Sequence, residues 1–160
     1  MDSVEKTKLY DSILAAIRTE LSQIRGDPAS VYKIVIDNLL KIPYAIWTGI
    51  YLYNKDTREL YLGIYEGKSR KTIMIPPLKG NPGYAVAYRK SKIYDGIGSM
   101  EESLVSSAET KSEIVIMLAK DAVVLGCIDI ESNEPGIFDE TDLKYLQEIA
   151  ETVLLKIYSF

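Results

Sequence analysis

The chain contains no histidine. That absence excludes a Ser-His-Asp triad, a Cys-His nucleophile pair, imidazole general-base catalysis and imidazole metal ligation. Cysteine is nearly absent too. Cys127 stands alone, so no internal disulfide can form, and a reducing, cytoplasmic compartment is expected. No apolar run nears the ~20 residues that span a bilayer. Met1 to Lys8 is polar, without the apolar segment of a secretion signal, so no membrane association is expected. Basic blocks are missing as well. Lysines, arginines and glutamates intermix, as at Lys55, Arg58 and Glu59, whereas a nucleic-acid footprint gathers Lys and Arg on one stripe. The one short basic group, Lys68, Arg70 and Lys71, reads as a solvated turn. What is present is ordinary globular composition: 160 residues, 47% hydrophobic, 26% charged, net charge −4. That suffices for one domain with a real core.

Periodicity orders the elements. Tyr10, Ile13, Ile17, Leu21 and Ile24 recur at three- and four-residue steps and predict a helix over Ser3 to Ile24. Gly26-Asp27-Pro28 breaks it, and Val31, Ile34, Val35 and Leu39 mark a second helix that stops before Pro43. From Ala45 the pattern turns aromatic and β-branched. Ala45–Asn54 and Glu59–Tyr65 read as a hairpin, Thr72–Ile75 as a third strand. Asn81 is placed as the N-cap of a short helix with Pro82 as its first residue. Lys92–Asp95 follows as a strand, then a long aperiodic segment, Gly96 to Lys111. Glu113–Ala119 and Val123–Ser132 are the two best strands. Asp139 caps a last helix reaching Tyr158, with Phe138 and Leu143 spaced as a hydrophobic staple. The expectation is one α+β domain over 1–160: helices in 1–41, sheet and pocket loops in 45–132, a terminal helix in 139–158. About six antiparallel strands carry the N- and C-terminal helices on one face.

Several segments then match a known family, in family order. They are Ile46-Trp47-Thr48-Gly49-Ile50-Tyr51-Leu52, Leu62 to Lys68, Ile75-Pro76, Lys79-Gly80-Asn81-Pro82-Gly83, Glu109 to Val115, Gly126-Cys127-Ile128-Asp129-Ile130-Glu131-Ser132 and Phe138-Asp139-Glu140. Across roughly Gly26 to Val153 the chain resembles GAF domains, and among them the free methionine-R-sulfoxide reductases. The resemblance implies a ligand pocket: Glu113, Asp129 and Glu131 match the carboxylates that hold the amino-acid substrate, and Trp47 and Tyr51 match its aromatic part. It also implies a loss. Pro82 stands where the family's Gly-Val-Cys-Gly turn has its cysteine, and Ser106 stands at a second family cysteine. Thiol reduction of a sulfoxide needs a thiolate to attack sulfur and a second thiol to resolve the sulfenic acid. Neither proline nor an unactivated serine supplies that.

The residues support two readings each. Alternation sets Leu125, Cys127, Asp129 and Glu131 on one strand face and Val124, Gly126, Ile128 and Ile130 on the other. Asp129 and Glu131 are either solvated surface charges or buried acids that need a partner, such as a ligand ammonium. Trp47 and Tyr51 are either core aromatics or the wall of a cation site. Cys127 reads as a small buried hydrophobe, its thiol unhelped by neighbouring acids. A loop of Lys120-Asp121-Ala122 would set Glu113 opposite Asp129, whereas a two-residue turn would throw Glu113 onto the wrong face. The expected function is binding of a small polar, zwitterionic ligand through Trp47, Tyr51, Ser106, Glu113, Asp129 and Glu131, with no cofactor and no metal. Two alternatives stay open: a reductase using Cys127 with an external thiol, and a dimerisation module with a vestigial pocket. Wide apolar stripes on the first and last helices suggest a homodimer.

Overall fold

An aspartate in extended backbone opens the first helix. Asp2 accepts from the Glu5 amide while Glu5 accepts from the Asp2 amide, and this capping box starts α1 (Ser3–Gln23). Asp27 accepts from the amides of Ala29 and Ser30 at the head of α2 (Pro28–Leu39), where Pro28 has no N–H to satisfy. Each such cap is worth about 1 kcal/mol. The computed structural model describes residues 1–70, 73–96 and 108–160; Lys71, Thr72 and Ser106 lie outside them.

The strands are β1 (Trp47–Asn54), β2 (Glu59–Glu66) and β3 (Met74–Ile75), then α3 (Gly80–Tyr88), β4 (Lys92–Asp95), β5 (Ser112–Lys120) and β6 (Val123–Ser132). Asp139 caps α4 (Glu140–Ile157) in a second capping box with Asp142. The six strands form one sheet in the order β3-β2-β1-β6-β5-β4, every neighbour antiparallel. This is the α+β architecture the periodicity implies. The two central strands, β1 and β6, lie side by side, so residues far apart in sequence share one surface.

Each face of the sheet has its own cover. Ile50, Ile114, Ile116, Ile128 and Ile130 point to one side, where Ile13 and Ile17 of α1, Val35 of α2 and Leu146, Ile149 and Val153 of α4 bury them. Burying one such side chain contributes roughly 1.5–3 kcal/mol, so this layer is the main source of stability. Trp47, Tyr51, Leu60, Val115 and Cys127 point to the other side, under Ala85 and Val86 of the short α3. The second face is only partly lidded by a helix, and the candidate site lies on it.

Two local expectations are corrected. Lys79, not Asn81, is the N-cap residue of α3, and it makes no side-chain cap bond. Asn81 sits inside the helix with its amide turned to the sheet, because Glu113 binds it there. The β5–β6 turn is the two-residue Asp121-Ala122, pairing Lys120 with Val123. One extra residue in β6 then shifts the register between Leu118 and Ala119, and Glu113 arrives opposite Glu131 rather than Asp129. The bulge also exchanges two side chains: Leu125 packs with the three-helix layer and Val124 with the site layer, the reverse of simple alternation. Gly126 makes the bulge possible. Its φ is +152°, and a Cβ there would stand 1.8 Å from the Tyr51 carbonyl oxygen.

Candidate functional site

Antiparallel pairing assembles the site from alternate residues. On β1, Trp47, Gly49 and Tyr51 stand beside Glu131, Asp129 and Cys127 of β6, and Glu113 of β5 faces Glu131 from the far side. Gly49 is needed for the shape. A Cβ on it would lie 2.1 Å from the Trp47 ring, so only glycine lets the indole lie across the strand. The Tyr65 ring stacks on that indole at 5.6 Å, and Tyr51 lies 6.2 Å away.

The three acids are buried. Glu113 is 3% exposed, and Asp129 and Glu131 are fully covered. An isolated carboxylate does not survive such burial in ionised form without compensation. Compensation comes from an unexpected residue: the Arg70 side chain, 4% exposed, reaches in from the turn after β2. Its guanidinium carbon lies 3.4 Å from the Trp47 ring centre. One Nη donates to the Tyr51 hydroxyl and, at 3.4 Å, to Asp129 Oδ2; the other donates to Glu131 Oε1. The reading of Lys68, Arg70 and Lys71 as a solvated turn is therefore corrected at Arg70. Two residues not expected at the site also bind the acids: Thr110, whose hydroxyl donates to Glu131 Oε2 at 2.7 Å, and Asn81, whose Nδ2 donates to Glu113 Oε2 at 2.5 Å.

Charge in this space is short of balance. Burial first, and then the Asp129 charge, push the Glu113 carboxyl well above its ordinary range. Asp129 is raised by burial and pulled back by Arg70. Repulsion between the two neighbouring carboxylates disfavours ionising both. Tyr94, whose hydroxyl donates to the Asn81 carbonyl at 3.3 Å, is pushed up to about 12 by burial first and the Glu113 charge second. Cys127 is fully buried beneath the acids, and desolvation, with Asp129 and Glu113 adding to it, drives its thiol far from the thiolate. Trp47 Nε1 is buried with no acceptor among the described residues.

Such a box can hold a cation. Oxygens of Glu113, Asp129 and Glu131 all lie within 4.8 Å of one another, a spacing open to an ammonium, a guanidinium or a metal ion. The indole wall and the guanidinium already seated there favour an organic cation, since a hard metal ion gains nothing from an aromatic face. The sites predicted from sequence on Trp47, Tyr51, Glu113, Asp129 and Glu131 are brought together here; Ser106 lies outside the described residues.

No family model matches the chain. Comparison with individual proteins is decisive. The chain is 33% identical over 145 residues to GAF domain-containing protein A of Dictyostelium discoideum, covering 90% of this chain and 89% of that one. It belongs to the GAF-domain family. This GAF domain is also related to the free methionine-R-sulfoxide reductases, with 26% identity over 140 residues to the Escherichia coli enzyme, 88% of this chain and 79% of that one. The solved free methionine-R-sulfoxide reductase of Neisseria meningitidis, in complex with its substrate, superposes with a TM-score of 0.88 at 26% identity over 99% of this chain and 92% of that one. Among the described residues of the GAF domain, no helix is long and apolar enough to cross a membrane.

Proposed function

We propose that this GAF domain binds a small ligand carrying a cationic nitrogen, with a free zwitterionic amino acid as the class it fits best. The observation that carries the reading is the burial of Glu113, Asp129 and Glu131 on one face of β5 and β6 against Trp47 and Tyr51. Three acids in a dry, aromatic-walled space are costly as structure alone and become favourable when a ligand ammonium enters. Trp47 Nε1, buried with no acceptor among the described residues, offers a donor to the ligand's carboxylate. Kinship with proteins named for acting on free methionine sulfoxide supports an amino acid as the ligand class.

Reduction of a sulfoxide by Cys127 is disfavoured on physical grounds. The only thiol in the chain has no exposed surface and is pushed away from its reactive thiolate form. The reading is therefore a binding module that keeps a relative's pocket without the thiol chemistry. Trp47 is the only tryptophan, so its emission reports the site directly. Titration with a panel of free amino acids, methionine and methionine sulfoxide included, should give a saturable change for at least one of them. Glu131→Gln should weaken that affinity by ~1.5–3 kcal/mol, the range for a hydrogen bond to a charged group. A panel without any saturable response would remove the reading.

A further inference from the structure

We propose that Arg70 is a tethered occupant of the cation half of this site, and that by competing with incoming ligands it determines which of them bind. The inference rests on the reading that the three carboxylates face a ligand cation. Arg70 already makes most of the contacts such a cation would seek. Its guanidinium stacks on Trp47 at 3.4 Å and donates to Tyr51, Asp129 Oδ2 and Glu131 Oε1. Two further acceptors are committed as well: Glu131 Oε2 to Thr110 and Glu113 Oε2 to Asn81. Asp129 Oδ1, by contrast, is buried with no donor among the described residues. A ligand cation that stacks on Trp47 and bonds Tyr51, Asp129 Oδ2 and Glu131 Oε1 therefore has to displace the Arg70 guanidinium.

A group tethered to the same chain acts at an effective concentration in the millimolar range. A simple organic cation must exceed that concentration to enter. Arg70 is, however, an incomplete ligand for its own slot, because its Nε is buried without an acceptor among the described residues. An unsatisfied donor weakens the seating and leaves it open to displacement. The ligand that wins brings a second handle, such as the carboxylate of a zwitterion, which a bare amine lacks. Arg70 thus filters simple amines out and zwitterions in.

The test uses the guanidinium ion as probe, read by Trp47 emission and by melting temperature against potassium chloride of equal ionic strength. Arg70→Ala should respond saturably to guanidinium below about 10 mM, within the range that a short tether would otherwise supply. The wild-type protein should not respond there, and adding Glu131→Gln to Arg70→Ala should abolish the response. Affinity for L-methionine, taken as a zwitterionic probe, should rise at least about tenfold in Arg70→Ala. Identical guanidinium responses in wild type and variant would overturn the proposal, because the slot would then be open in solution. Loss of methionine binding in Arg70→Ala would overturn it differently, by making Arg70 a ligand contact. Guanidinium rescue without amino-acid binding to either protein would uphold the competition and sink the amino-acid reading, so the two failures are separable. If Arg70→Ala alone melts below the assay temperature, the same titrations run in an Arg70→Ala/Glu113→Gln protein, which buries one ionisable group fewer.

Discussion

Glu113 sits where burial, a neighbouring acid and a single amide donor meet, and its proton links stability to ligand affinity. Its carboxyl is raised well above the ordinary range by burial and by Asp129. A carboxyl raised on folding takes up a proton, so stability is greatest below its unfolded value of about 4.3. It falls as pH climbs from there to the raised folded value, and the slope then vanishes. Glu113→Gln mimics the protonated form: its carbonyl still accepts from Asn81, and its amide can donate toward Asp129. Urea melts from pH 4 to 9 should show this decline in the wild type and a flatter profile in the variant. At the alkaline end the variant should be the more stable of the two. Cation affinity should run the other way in the wild type, rising with pH as Glu113 ionises. A variant less stable than wild type at high pH would make Glu113 a structural carboxylate instead.

Among the elements, β6 shows how a one-residue irregularity positions chemistry. The two-residue turn alone would send Glu113 to the three-helix layer, and the extra residue near Leu125 returns it to the site. Gly126 allows this because its backbone lies at φ +152° against the Tyr51 carbonyl. Gly126→Ala should cost about 3 kcal/mol, in the upper range for backbone strain in a packed sheet. Loss of Trp47's response to ligand should accompany the lower melting temperature, and a tolerated alanine would mean that the bulge is not fixed by Gly126. The strands and helices themselves were legible in the sequence because hydrophobic period and, at Asp139, an aspartate cap declare themselves locally. The convergence of Glu113, Asp129 and Glu131 was legible too, on the resemblance and the alternation. The register was not. A bulge is a tertiary compromise, and no local signal separates Val124-Leu125-Gly126 from a regular strand. Arg70 escaped for the same kind of reason: three buried acids call for a cation, but nothing in Lys68-Ser69-Arg70 says which side chain turns inward.

At the scale of the whole molecule, a buried polar network joins the two ends of the chain. Lys6 of α1 donates to Asp142 at 2.5 Å, to Asp139 at 2.9 Å and to the Ile137 carbonyl at 2.5 Å. Asp142 accepts in turn from the hydroxyls of Tyr10 and Tyr44. All of this lies on the three-helix side of the sheet, away from the site. Lys6→Met should therefore strand the Asp142 charge and cost about 3–5 kcal/mol of stability. Ligand affinity per folded molecule should not change, and a calorimetric melt with a binding titration below the transition checks both. That separation of fold from site lets the cation-binding proposal be judged on its own. The most direct measurement is a calorimetric titration comparing the best free amino acid from the panel with its N-acetyl derivative. The two share a side chain and a carboxylate and differ in the ammonium. If Glu113, Asp129 and Glu131 hold the ligand's cationic nitrogen, the free amino acid binds and the acetylated form loses at least about 1.5 kcal/mol of affinity. Equal binding of the two would contradict a cation site on these carboxylates.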